Sequence, residues 1–167
     1  MNKQATPYFP VANIVEMMRP LPIDPVAGMP AFVCGLSLIR GVPVPVVELR
    51  VLLEGKVGWS GRFVVLRIDG RQVAVLVEAV LGVRALPTSL LRNMPPLLQD
   101  ACPDMVTAIT ALDQQLVTVL SGTRIVPEEL WRALEAGQTV TFNKDRPPAP
   151  HPSPPASGEV EFGALVG

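Results

Sequence analysis

The chain has 167 residues, enough for one domain or for two small, closely packed ones with a real core. Charged residues make up 17% of it and hydrophobic residues 49%, with a net charge of −1, so an unusually apolar surface suited to partner contacts is expected and the basic footprint of a nucleic-acid binder is absent. The longest uncharged stretch, Pro25 to Ile39, is too short and too broken by Gly28, Pro30 and Gly35 to span a bilayer, and Met1 to Val11 lacks the apolar core of a signal peptide, so no membrane insertion and a cytoplasmic location are expected.

Residues 1 to 10 are polar and interrupted by proline, and read as an irregular lead-in. The first element is expected within Val11 to Arg19, which is rich in β-branched residues. Arg19 to Pro30 carries Pro20, Pro22, Pro25, Gly28 and Pro30, which excludes helix and inner strand. Two apolar runs then follow, Phe32 to Ile39 and Val42 to Leu49, joined by Arg40 and Gly41. Glycine supplies the positive φ that a two-residue hairpin turn needs. Arg40 is thus a single cation in an apolar hairpin, and Glu16, alone in Ile14-Val15-Glu16-Met17-Met18, has the same problem with the opposite sign. The two are expected to form an internal ion pair, since a buried charge needs a partner.

After Leu49, residues Arg50 to Glu54 read as one helical turn closed by Gly55, and Lys56 to Gly61 as a connector. Arg62 to Ile68 and Arg71 to Val77 flank Asp69-Gly70, the clearest hairpin signal in the chain. Their charges sit near the turn, so most of both strands should be buried or shared with a neighbouring sheet. Glu78 to Arg84 continues the second strand with a bulge at Gly82. Pro87 to Pro96 reads as a loop, and Met105 to Leu112 and Leu116 to Leu120 as two further strands. Pro127 to Gly137 has the marks of a helix: proline in the first turn, Glu128 and Glu129 near the positive end of the dipole, glycine past the end, and Leu130, Trp131 and Leu134 on one face that should cap a barrel. From Asn143 the chain is dominated by proline, serine and alanine, and residues 143–167 are expected to be a disordered tail whose apolar end, Val160 to Val166, is either a docking peptide or plain tail.

Three blocks carry a family resemblance: Ile14-x-Glu16; Pro30-x-Phe32-Val33-x-Gly35-Leu36-x-x-Ile39-Arg40-Gly41-x-x-x-Pro45-Val46-Val47-Glu48-Leu49-Arg50; and Val75-x-Val77-Glu78-x-Val80. From Tyr8 to Glu135 the chain resembles the CheW-like domain of bacterial chemotaxis arrays. The resemblance implies an all-β fold of two packed SH3-like five-stranded barrels with a short C-terminal helix, here spanning residues 8–142. Domains of this family usually begin with a further strand that has no counterpart at the start of this sequence. The first barrel is therefore expected to be short by a strand, or to have its edge covered by another segment or chain.

The same resemblance implies an adaptor that couples methyl-accepting chemoreceptors, through their cytoplasmic tips, to the regulatory domain of a CheA-type histidine kinase. An alternative is a regulatory module of another kinase pathway, or a detached fragment of a larger signalling protein. Carried over by position, Ile14, Glu16, Arg40, Gly41, Val75, Val77 and Val80 mark the receptor side, and Met29, Phe32 and Gly35 the kinase side. Catalysis is not expected. The sole histidine, His151, lies in the proline tail, so neither Cys34 nor Cys102 has a basic partner from the folded region, and both read as reduced structural thiols. Phosphate-loop, dinucleotide and zinc-ligand patterns are absent, and no cofactor is expected.

Overall fold

A computed structural model of the chain describes residues 6–55, 61–85, 106–112, 114–120, 125–136 and 161–166. The elements are β1 (Thr6–Pro10), a single 3₁₀ turn (Val11–Asn13), β2 (Ile14–Met18), β3 (Ile23–Asp24), β4 (Val33–Ile39), β5 (Val42–Glu48), α1 (Leu49–Glu54), β6 (Arg62–Ile68), β7 (Arg71–Val77), β8 (Ala79–Ala85), β9 (Val106–Leu112), β10 (Gln115–Leu120), α2 (Glu128–Glu135) and β11 (Glu161–Val166). Strands predominate, as the composition and turn signals require. They form a six-stranded sheet in the order β2-β6-β7-β5-β4-β3 and a five-stranded sheet in the order β8-β11-β1-β10-β9.

The hairpin turns follow their local chemistry. Arg40 and Gly41 have φ of 51° and 80°, Asp69 and Gly70 of 50° and 78°, so both β4–β5 and β6–β7 close through two consecutive left-handed residues. That geometry matches the right-handed twist of the strands it joins. Gly55, at φ 67°, ends α1 with its N–H on the Val51 carbonyl.

Curvature of the six-stranded sheet is forced by connectivity. β2 and β3 are its opposite edges, which in a flat sheet would lie about 24 Å apart. Only Arg19 to Pro22 joins them, and so short a link reaches at most about 18 Å. The sheet therefore curls until its edges approach. The buried Ser37 hydroxyl donates to the Pro22 carbonyl at 3.0 Å and ties the linker to β4.

Both faces of the central strands are buried, which is why they read as continuous apolar runs. Inside the curl lie Ile39, Val44, Val46, Phe63, Val65, Ala74 and Leu76, with Met18, Leu21, Ile23 and Cys34 at the margin. The larger core lies on the other face and joins the two sheets and both helices: Phe9 and Leu120 from the second sheet meet Leu36, Val47, Val64, Leu66, Val73 and Val75 from the first, with Ile125 and Leu130 beside them. Burial of these side chains is the main favourable contribution to the fold.

Three expectations are corrected. The lead-in contains a strand: Thr6–Pro10 is β1, and Tyr8 and Phe9 are buried. Two adjacent aromatics bring enough apolar area to the core to outweigh the flanking prolines, and Pro7 and Pro10 sit near the strand's ends. Glu78 breaks the expected continuous strand at a bend, after which β8 passes into the other sheet. Gly82, at φ 145°, does lie at the register shift in β8 that its sequence suggested. Finally, Glu161–Val166 is neither loose tail nor free peptide: as β11 it lies between β1 and β8 and pairs in parallel with both, so its backbone groups are matched on two sides. Residues 143–160, the loop of 87–96, Cys102 and His151 lie outside the described residues.

Candidate functional site

The hairpin tip at Arg40-Gly41 is the organising feature of the site. Arg40 Nε donates to Glu16 Oε1 at 3.0 Å and Nη2 to Oε2 at 2.8 Å, a two-pronged carboxylate grip that a lysine cannot reproduce. In sheet order β6, β7 and β5 separate β2 from β4, so the pair spans the seam of the curl directly. The expected pair is present. Its expected burial is not: the Arg40 side chain is 79% exposed and that of Glu16 24%. The left-handed turn that presents Arg40 also lifts it from the strand surface into solvent, so Glu16 reaches up to it from a half-buried base. Hydrogen bonding from Arg40, opposed by desolvation and aided by the guanidinium charge, holds the Glu16 carboxyl below its ordinary range.

Exposed apolar side chains lie on the elements that carry this clasp. Val15 and Met17, on the outward face of β2, are 42% and 53% exposed, and Val42, next to the turn, is 52% exposed. β2 is a sheet edge, and alternation along it sends Ile14, Glu16 and Met18 to one side and Val15 and Met17 to the other. A fixed charge pair with exposed apolar side chains on the same elements has the composition of a protein contact surface.

On the other side of the tip, Val42 and Pro43 open into a groove of about 580 Å³, lined also by Arg67, Arg71, Trp131 and Leu134. Arg71 defines its far wall. Its guanidinium stands 5.1 Å over the Trp131 ring and reaches Glu128 at 3.3 Å and Glu135 at 2.8 Å, so one side chain from β7 engages both ends of α2. Leu130 is buried beneath, with Trp131 and Leu134 half-buried against the same core, as the helix pattern predicted. Nothing in the sequence pattern singled out Arg71. The available signal was its position next to the Asp69-Gly70 turn, where a long cation can extend beyond its own sheet.

The remaining candidates divide by burial. Ile14 and Val80 are half-buried and Gly41 is exposed, so all three are reachable from solvent near their elements' surfaces. Val75 and Val77, expected on the receptor side, are 0% and 4% exposed and lie in the core between the sheets, which removes them as contact residues. Alternation on an inner strand covered on both faces leaves no outward position for them. Gly35, expected on the kinase side, is also buried. A Cβ there would fall on the Asp24 carbonyl oxygen and come within 2.9 Å of Pro25 Cα, so this glycine admits the backbone of β3 rather than a partner. Met29 and Phe32 are half-buried against the larger core.

Among the described residues no cluster of histidine, cysteine, aspartate or glutamate could hold a metal ion, and no helix is long and apolar enough to cross a membrane. Cys34 is half-buried, and burial, with Glu48 nearby, pushes its thiol up to about 11. Such a thiol is a poor nucleophile at neutral pH.

A family model, the CheW-like domain, matches residues 4–130, most of the chain and the whole of the Glu16–Arg40 clasp. The chain belongs to the CheW-like domain family. Within it, the chain is 28% identical over 131 residues to Protein FrzA of Myxococcus xanthus, covering 75% of this chain and 81% of that one. It is 26% identical over 107 residues to the chemotaxis protein CheW of Klebsiella aerogenes, covering 62% of this chain and 64% of that one. Among solved structures, the scaffolding protein TtCheW from Thermoanaerobacter tengcongensis superposes with a TM-score of 0.56 at 19% identity over 69% of this chain and 77% of that one, a likeness of fold. The relatives that this CheW-like domain matches thus include a protein named for chemotaxis, and a solved scaffolding protein shares its fold.

Proposed function

We propose that this CheW-like domain couples chemoreceptors to a CheA-type histidine kinase, holding the cytoplasmic tip of a methyl-accepting receptor on one surface and the regulatory domain of the kinase on another. The observation that carries this reading is the Glu16–Arg40 clasp at an exposed hairpin tip, with exposed Val15, Met17 and Val42 on the elements that carry it. A coiled-coil tip offers apolar side chains with charges at the margin, and this surface offers the complement. Val80 and Ile14 would border the receptor contact, with Gly41 allowing close approach of the partner's backbone. Met29 and Phe32 are the proposed kinase-side contacts. No step in this role needs a reactive group, because the adaptor acts by fixing two partners relative to each other.

The test is titration of the purified chain with a kinase regulatory domain and, separately, with a receptor signalling fragment, parent against Arg40→Glu. The reading expects the parent to bind both, and the variant to bind receptor at least about tenfold more weakly while keeping the kinase, as loss of a close charge pair at an interface produces. Absence of binding to either partner at tens of micromolar overturns it.

A further inference from the structure

The second sheet contains a strand that reached its place by an unusual route. β11 is an interior strand of the order β8-β11-β1-β10-β9, yet it comes from the far end of the sequence and pairs in parallel on both sides. Tyr8, Phe9 and Pro10 of β1 face Gly163, Ala164 and Leu165, and β8 faces β11 from Ala79 opposite Glu161 to Ala85 opposite Val166. Among the described residues, β8 has no strand neighbour other than β11, so this segment alone joins it to the sheet. β11 also lies beyond residue 130, where the part of the chain shared with the family ends.

Parallel pairing means that no tight turn delivers β11 to its neighbours. It is attached through residues 137–160, which include Pro147, Pro148, Pro150, Pro152, Pro154 and Pro155. A tether of that length spans up to about 75 Å even at the polyproline rise, far more than the thickness of one small domain. The tether therefore permits β11 to reach the same slot on a neighbouring molecule, where it would make the same backbone bonds.

We propose that the slot between β1 and β8 is a strand-acceptor site whose ligand is the chain's own C-terminal strand, and that β11 of one copy docks in the slot of a second. The closed and exchanged forms have the same strand contacts, so their balance depends on the effective concentration of the tethered strand against that of other copies. For a tether of this length the effective concentration is on the order of 1 mM. Single molecules closed on themselves dominate when dilute, and exchanged pairs form where copies are crowded.

Val83 and Ala164 are register partners, and neighbouring strands place Cα atoms within disulfide range. The full chain carrying Val83→Cys and Ala164→Cys, with Cys34→Ser and Cys102→Ser, is refolded and oxidised as a mixture of tagged and untagged copies at about 10 µM and about 1 mM, the first well below the expected balance point and the second at it. Strand exchange predicts internal disulfides at the lower concentration and tagged–untagged disulfide dimers at the higher. Internal disulfides alone at both concentrations overturn exchange, and failure to form either bond in folded protein overturns the slot itself. Should that variant not fold, sedimentation of the unsubstituted chain and of full-length Gly163→Pro decides the matter. Proline in mid-strand removes a ladder donor, so self-association at about 1 mM should be present in the parent and lost in the variant. No self-association in the parent, or equal association in both, overturns the proposal.

Discussion

Arg40 grips Glu16 with two hydrogen bonds of 3.0 and 2.8 Å across the seam of a curled sheet, yet remains 79% exposed. A pair in that setting gains little net stability, because water already solvates the guanidinium well and salt screens the attraction. Its geometric role is larger than its energetic one, since it fixes the hairpin tip relative to β2. Arg40→Ala should therefore lower the melting temperature by only a few degrees, while receptor binding falls much further. A collapse of the fold in this variant, measured by thermal denaturation, would show that the pair carries more of the stability than its exposure implies.

The same pair should leave a pH signature. The Glu16 carboxyl is depressed in the folded state below its ordinary 4.5. Its contribution is therefore fully present above that value and is lost as pH falls through the lower folded value. Arg40→Ala lacks the contribution at every pH. The melting-temperature difference between parent and variant should hold steady from neutral pH down toward the ordinary 4.5 and shrink as the pH falls below it. A difference that stays constant throughout would separate Glu16 from Arg40.

Gly35→Ala tests the closure of the sheet. Its φ of 140° resists any side chain, and the added methyl would strike backbone atoms of Asp24 and Pro25, which cannot swing away as a flexible side chain can. Strain and overpacking together should cost about 2–5 kcal/mol, read from urea denaturation midpoints. Parent-like stability would mean that β3 can lift from β4 without penalty.

The helix α2 has two anchors of different kinds. Leu130 is 1% exposed within the larger core, and Leu130→Ala should cost about 2–5 kcal/mol. Arg71, on the surface, should matter far less to global stability, and its loss should show instead as faster amide exchange in residues 128–135, where it holds both ends of the helix. Equal exchange rates in parent and Arg71→Ala would assign the docking of α2 to Leu130 and its neighbours alone.

Cys34 offers a chemical probe of the curl. With Cys102→Ser removing the other thiol, alkylation of Cys34 should be slow at neutral pH and accelerate only as pH approaches about 11, where burial places its ionisation. The accompanying stability effect has a defined sign. A thiol raised from 9.0 to about 11 on folding contributes fully below 9.0 and loses that contribution as pH rises through about 11. Rapid labelling at pH 7 would indicate that the margin of the inner core opens readily.

Local chemistry determined much of this protein from the sequence alone. Arg40-Gly41 and Asp69-Gly70 specify their hairpins because the residues that tolerate positive φ are few, and Pro127 to Gly137 carries its own start, stop and apolar face. The partnership of Glu16 and Arg40 was legible for a similar reason, as two isolated opposite charges in apolar strands. Only the tertiary structure decided that this pair is open to water, that Val75 and Val77 are enclosed, and that Gly35 serves the β3 backbone. Exposure depends on which elements cover a strand, and a single strand's pattern cannot show that. The same holds for β1 and β11, short segments whose pairing joins the two ends of the sequence. No turn between them records that they meet, because a parallel ladder leaves no local signal in the chain.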